Sequence, residues 1–401
     1  MPFSRRRLIV LPLAAGALSL AGVSTKAVAA SEGGATTPAP ETTVFTSGAD
    51  GYAVYRIPAV VRTARGTLVA FAEARSGSSD SATTVVVAKR SADGGRTWAA
   101  QAVVAGDGTN THGNPAPVVD PRTGHITLLT CTNGAGVTEA EIMSGQASAA
   151  DGRRVWVQHS TDDGQTFSPP REITATTKHP DWRWYATGPG HAIALETGRY
   201  RGRLVAPANH STAPPAGSTD VGTEAKYYGG HCLLSDDGGA TWRIGFVDDT
   251  PDGVVNANET AVAQLPDGTL YFNARDQNGT APGVRVDARS RDGGARLEEP
   301  YAPQVGLAGP VVQGSLLQPA AGPLLFAGPA DPDARADMAV RASTDGGRTW
   351  TSVHTLSGLP AGYSDLVQTG PDEVGLLYET GTATAYDRIA FARLPLRALR
   401  P

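Results

Sequence analysis

The chain has 401 residues, with 39 acidic against 34 basic side chains and a net charge of −5 at pH 7. An acidic chain without basic runs lacks the surface needed to neutralise phosphates, which excludes nucleic acid as a partner. Any anionic ligand must then be held by a local cluster of cations, not by the overall field.

The first thirty residues carry Arg5, Arg6, Arg7 and Lys26 with no acidic residue, and an apolar stretch from Leu8 to Val23 leads into Ala27-Val28-Ala29-Ala30. A basic start, a short apolar core and a small-residue end form a signal peptide. Ser4-Arg5-Arg6-Arg7-Leu8 resembles a twin-arginine export signal, and the core is too short and too rich in Ala and Gly for a membrane span. Residues 1–30 are therefore expected to be removed near Ala29/Ala30 and the protein secreted. Without that segment and its four positive charges the net charge falls to −9. Residues 31–42 (SEGGATTPAPET) are small and rich in Pro and Thr, which predicts a disordered leader. No later hydrophobic run is long enough to span a bilayer.

Beyond the leader, the pattern S-x-D-x-G-x-T-[WF] recurs at Ser91–Trp98, Ser160–Phe167, Ser235–Trp242 and Ser343–Trp350, with a worn copy at Ser290–Leu297. Each copy follows a short β-type run and precedes another, so it reads as a hairpin turn. Its Asp bonds the following amides, its glycines permit positive φ, and its aromatic packs back beneath the turn. Turn signals between the copies (ARGT, DPRTGH, PDGT, GPDE) mark further hairpins, and the copies stand 53 to 75 residues apart. One four-stranded blade per repeat fits that spacing. No amphipathic helix of ordinary length interrupts the series, so the class is all-β, and residues 43–401 are expected to form one six-bladed β-propeller of antiparallel blades. Cys131 and Cys232 each lie in an apolar, strand-like run. They could pair or remain as buried free thiols, and neither spacing suggests a metal site.

Between the repeats stand Tyr55-Arg56-Ile57-Pro58, Phe71-Ala72-Glu73-Ala74-Arg75 with Asp80 five residues on, Asn258-Glu259-Thr260, Asn273-Ala274-Arg275, Arg335-Ala336-Asp337-Met338, Tyr363-Ser364-Asp365-Leu366 and Leu377-Tyr378-Glu379. In order and spacing this set resembles the exo-α-sialidase (neuraminidase) family, of the bacterial and animal type with Asp-box repeats, over nearly all of residues 43–398. The resemblance implies that Arg56, Arg275 and Arg335 hold the carboxylate of sialic acid, for which a planar, always charged donor fork is suited. It implies that Glu379 braces Arg56, that Tyr363 is the nucleophile, with Asp365 the alternative polar residue, and that Glu259 is the base. Asp80 would be the acid that protonates the leaving oxygen. Arg75 and Glu139 match residues that contact the ring substituents, and Trp182–Tyr185 with Thr187–His191 matches a site-lining scaffold. The aspartates of the repeats, Asp93, Asp162, Asp237 and Asp345, lie at the blade periphery in proteins sharing the motif and are not site candidates. Asn209 and His210 depart from the tyrosines of animal members, which leaves contacts to the substrate's glycerol tail open.

The expected activity is a retaining exo-α-sialidase acting on sialylated glycoconjugates as a monomer, with no metal and no cofactor. A trans-sialidase or a hydrolase for a deaminated nonulosonic acid is the alternative. A non-catalytic sialoside-binding propeller would not need Tyr363, Glu259 and Asp80 together.

Overall fold

The computed structural model describes residues 39–401; the expected signal peptide and most of the leader lie outside the described residues. Antiparallel hairpins follow one another along the chain, and consecutive strands pair from the axis outward. The first unit runs Val54–Arg62, Leu68–Arg75, Thr84–Ser91 and Ala102–Ala105. The last runs Ala361–Gly370, Glu373–Thr380 and Arg388–Pro395, and its outermost strand is the N-terminal Glu41–Thr46. That pairing corrects the leader boundary: Glu41 and Thr42 are ordered sheet residues, held by Arg388 donating to Glu41 at 2.7 Å and by Thr42 Oγ1 donating to the Gly95 carbonyl at 2.8 Å. Joining the two chain ends in one sheet closes the ring without leaving an edge strand there.

By hydrogen bonding the strands form five sheets, three of four strands, one of five and one of eight. The eight-stranded sheet divides at a single parallel bridge, Thr84–Thr111, into two antiparallel runs, so the chain folds as six antiparallel units in five sheets. The expectation of six separate four-stranded sheets is corrected to that extent. The core follows the six units. Among the described residues six hydrophobic clusters are each shared by two neighbours, with Phe71 and Ile126 across the first junction, Leu129 and Leu233 across the second, and Leu377 and Tyr55 across the last, and a small seventh joins Ile57, Val312 and Tyr363. Stability in this arrangement is distributed over the junctions, with no single central core.

The recurring turns form as their residues dictate. Ser91 Oγ donates to Asp93 at 2.8 Å and accepts from Gly95 N at 2.8 Å, while Asp93 takes the amide and hydroxyl of Thr97 at 2.9 and 2.7 Å. The turns at Asp162, Asp237 and Asp345 repeat the pattern, and Asp292 keeps its main-chain part although Arg296 has replaced the threonine. The aromatic does more than pack beneath its own turn. Trp98 meets Phe391 of the last unit edge-on at 5.4 Å, Phe167 meets Phe71 of the first at 5.9 Å, and Trp350 meets Tyr271 of the preceding unit at 6.2 Å. Each repeat thus fastens one unit to the one before it. Cys131 and Cys232 are buried free thiols in two different junction clusters.

Candidate active site

At one end of the axis five inner strands bulge. The register slips between Arg56 and Ala59, Gly113 and Ala116, Trp182 and Tyr185, Ala257 and Thr260, and Ala361 and Ser364. A bulge re-aims side chains out of the pleat, and here it turns Arg56, Asn114, Glu259 and Tyr363 toward a cavity of about 470 Å³ at the mouth of the ring. The ends of the second strands add Glu73, Arg75 and Arg275, loops add Asp80 and Arg335, and the start of a short helix adds Glu139. Arg56, Arg75, Asp80, Glu139, Glu259, Arg275, Arg335 and Tyr363 therefore all border this one cavity, and Glu379 lies directly behind it. The expected site-lining scaffold is corrected: of Trp182–Tyr185 only Trp184 reaches the cavity, and Thr187–His191 does not line it.

Tyr363 is the centre. Its hydroxyl donates to Glu259 Oε1 at 2.5 Å, and Glu259 Oε2 accepts from Arg275 Nη1 at 3.0 Å. Arg275 Nη1 is also 3.5 Å from the phenol oxygen, while the Arg56 and Arg335 guanidinium carbons lie 5.1 and 5.8 Å from the ring centroid. Three guanidinium groups from three units of the ring thus surround one phenol. Burial raises the Tyr363 hydroxyl far above the ordinary phenol range, and the neighbouring Glu259 carboxylate pushes the same way against Arg275 and Arg56. The phenol is consequently neutral at ordinary pH, and Glu259 is the carboxylate placed to accept its proton.

Glu379 is fully buried and binds three groups: it accepts Arg56 Nε and the Ile57 amide on Oε1, both at 2.8 Å, and the Tyr363 amide on Oε2 at 2.9 Å. For Arg56, burial works against the charge, and Glu379 together with Tyr363 and Tyr386 more than offsets it. The alternative polar residue, Asp365, is committed elsewhere. It accepts the Val60 and His191 amides, the His191 ring and the Ser315 hydroxyl at 2.7 to 3.0 Å and faces no cavity atom of the site.

Asp80 stands at the cavity edge with its side chain 86% exposed, hydrogen-bonded to Arg75 Nη1 and 3.9 Å from Arg56 Nη1. The cavity wall disfavours its charge, but Arg75, then Arg56 and Arg335, outweigh that and hold it below the usual carboxylate range; solvent screens part of the effect at such an exposed group. Glu139 sits at the start of a one-turn helix, Glu139–Met143, capped by Thr138 in a reciprocal bond with Glu141. It accepts the Tyr228 hydroxyl at 2.5 Å, and burial raises its carboxyl above the ordinary value.

Two groups that hold the site's side chains escaped the sequence reading, Arg153 in the cavity wall and Tyr386 behind the arginines. Tyr386 lies 4.2 Å beneath the Arg56 guanidinium and accepts from Arg335 Nη1 at 2.8 Å, so one ring orients two of the three arginines. Arg153 donates to the Tyr185 carbonyl at 2.6 Å and to Asn133 Oδ1 at 2.9 Å, also bonds Asn114, and stacks 4.3 Å over Trp184. Neither Tyr386 nor Arg153 stands in a recognisable motif; a lone tyrosine in the polar run GTATAYDR was the only available signal. His210 is not at the cavity: it stacks 3.7 Å from Trp182 and its Nδ1 is 3.1 Å from that of His231.

Comparison with known proteins decides the family. Residues 66–376 match the BNR repeat-like domain. An exo-alpha-sialidase of Aspergillus fumigatus is 31% identical over 82% of this chain and 79% of its own length. A sialidase of Bacteroides fragilis is 30% identical over 84% of this chain and 62% of its own length. The chain belongs to the sialidase family. Among solved structures, the Hadza microbial sialidase Hz136 superposes with a TM-score of 0.76 at 28% identity over 90% of this chain and 69% of its own. The intramolecular trans-sialidase of Ruminococcus gnavus shares the fold at a TM-score of 0.73 and 17% identity. The chain spans about three fifths of the length of the Bacteroides sialidase and of a Micromonospora viridifaciens sialidase, 62% and 60%. Chemically, the cavity sets three cations close together, which suits an anionic group, beside a phenol hydrogen-bonded to a carboxylate and an exposed carboxyl group at the entrance.

Proposed function

We propose that the protein is a retaining exo-α-sialidase that removes terminal sialic acid from glycoconjugates. One observation carries this reading: the Tyr363 hydroxyl donates to Glu259 while Arg56, Arg275 and Arg335 surround it. The anomeric carbon of sialic acid bears a carboxylate. An approaching carboxylate nucleophile would be repelled there, whereas a neutral phenol is not, and three guanidinium groups beside that phenol supply the matching anion site.

In the first step the arginines hold the substrate carboxylate, Glu259 accepts the Tyr363 proton, and the phenol oxygen bonds to the anomeric carbon. The bond to the leaving oxygen breaks as Asp80 gives that oxygen its proton. In the second step the Asp80 carboxylate takes a proton from water, the water oxygen bonds to the anomeric carbon, and Tyr363 leaves and recovers its proton from Glu259. Two inversions give net retention. Arg75 and Glu139 line the remainder of the cavity, where they meet the ring substituents. We also propose that the chain acts outside the cell as a monomer after cleavage near Ala29/Ala30; N-terminal sequencing and light scattering of the exported protein check both points.

The function is tested by incubating the protein with a fluorogenic N-acetylneuraminic acid glycoside and with its deaminated analogue, following products by NMR with and without lactose. Release of the α-anomer of the free acid is expected. A sialyl-lactose product would move the assignment to transfer, preference for the deaminated sugar would move the substrate, and turnover of neither would defeat the enzyme reading.

A further inference from the structure

Two buried glutamates at this mouth are used in the same way. Glu379 accepts the amide of Ile57, which has φ of 59°, and Glu73 accepts the amide of Asn114, which has φ of 53°, at 2.8 Å in each case. Both amides belong to an inner-strand bulge of the adjoining unit, and both glutamates also hold an arginine: Glu379 takes Arg56, and Glu73 Oε2 takes Arg75 Nε and Nη2 at 2.9 and 2.5 Å. Each is seated against a glycine with no room for a side chain, since a Cβ at Gly362 or at Gly113 would stand 2.2 Å from the carboxylate oxygen. The first bracket serves the nucleophile. The second serves the opposite wall, where Arg75 reaches Asp80 with its remaining nitrogen.

We propose that Glu73 is a positioning residue: by engaging the Arg75 guanidinium from behind, it limits how strongly Arg75 pairs with Asp80 and so keeps Asp80 able to donate a proton. Arg75 is 4% exposed and its charge is divided between two carboxylates, one buried and one open to solvent. The charged groups around Asp80 are Arg75, Arg56 and Arg335, all cationic, and Glu73 is the anion that occupies the nearest of them. Removing the Glu73 charge leaves Arg75 with Asp80 as its sole counter-ion and takes an anion away from the neighbourhood. Both changes favour ionised Asp80 and weaken it as an acid. The inference rests on the reading of Asp80 as the proton donor.

Glu73→Gln retains an oxygen acceptor for the Asn114 amide while replacing the oxygen that meets Arg75 with an amide donor, so it removes the Glu73–Arg75 pairing with the bracket to Asn114 kept. We compare kcat/KM against pH for sialyllactose, whose leaving oxygen needs a proton, and for an aryl sialoside, whose leaving group does not. The expected result is a loss of about tenfold on sialyllactose at neutral pH with the alkaline limb moved to lower pH, and a change within about twofold on the aryl glycoside. Equal losses on both substrates with an unmoved limb would overturn the inference, leaving Glu73 a bracket for the fold only. Should Glu73→Gln not fold, Glu73→Asp keeps the charge at a shorter reach, and a smaller shift of the same sign is expected; an unmoved limb would again overturn it. Asp80→Asn, run beside these, separates the two claims: a loss independent of the leaving group would remove Asp80 as the acid, whatever Glu73 does.

Discussion

The rim and the mouth of the ring use one device for different ends. At the rim, Asp345 gathers the Arg348 and Thr349 amides and the Ser343 and Thr349 hydroxyls at 2.6 to 3.0 Å, all within seven residues of chain and largely in solvent. At the mouth, Glu379 gathers the Ile57 amide and the Arg56 side chain from more than 300 residues away in sequence and the Tyr363 amide from 16 residues away, and it is fully buried. A carboxylate that satisfies local amides makes a turn, can be repeated and does no chemistry. Buried across a junction and paired to a cation, the same group fixes the position of reacting side chains. The comparison therefore predicts that damage at the mouth is read in kinetics and damage at the rim in stability.

The largest effect is expected at the arginine cradle. Arg275→Lys keeps the charge but loses the planar fork that meets Glu259 and, on the proposed function, the substrate carboxylate, and kcat/KM should fall on the order of a hundredfold with a raised KM and unchanged melting. Near-normal kinetics would remove Arg275 from the cradle. The pH profile comes next. On the proposed role of Asp80 as proton donor, with its carboxyl held below the usual carboxylate range, kcat/KM for sialyllactose should decline about tenfold per pH unit above its pKa, and less steeply for an aryl sialoside. Identical slopes for the two substrates would contradict the role of Asp80.

At the rim the signs concern folding. Slight burial opposes the charge of Asp345, but the Thr349 and Ser343 bonds outweigh it and bring its pKa down to about 2. A carboxyl group depressed in the folded state contributes stability above its unfolded value, near about 3.9, and loses it as the pH falls toward the folded value. Asp345→Ala should thus lower Tm by about 2 °C at pH 7, from about 1 kcal/mol, with the difference fading between about pH 4 and pH 2 and kcat unchanged. A kinetic defect with normal melting would reverse the division between rim and mouth. The smallest effect is at the cysteines: burial pushes Cys232 up to about 12, and a thiol reagent should label neither cysteine in the native protein and both after unfolding.

Much of the rim was legible in the sequence because Ser, Asp, Gly and Thr form the turn from contacts a few residues apart. The partner of each aromatic was not legible, since Phe391 for Trp98 is set by how the units adjoin. At the mouth, Arg56, Asp80, Glu259, Arg275, Arg335 and Tyr363 were found through family resemblance, not through spacing, and they do border one cavity. Tyr386 and Arg153 were missed because their roles exist only across folded distances, as a ring under Arg56 and a cation over Trp184. The start of the first strand was placed late because Glu41 gains its order from Ala392 and Arg388 at the far end of the chain, a pairing invisible in the local composition.

The central claim is that Tyr363 forms the covalent bond to the sugar. A 2,3-difluoro sialic acid tests it most directly: fluoride leaves readily from the anomeric carbon, while the fluorine at the neighbouring carbon slows hydrolysis of the glycosyl-enzyme. Peptide mass spectrometry after brief exposure should find one sugar on the peptide containing Tyr363, absent from Tyr363→Phe and lost on standing as activity returns. A sugar on Glu259 or another residue, or full inactivation of Tyr363→Phe through a labelled carboxylate, would contradict it.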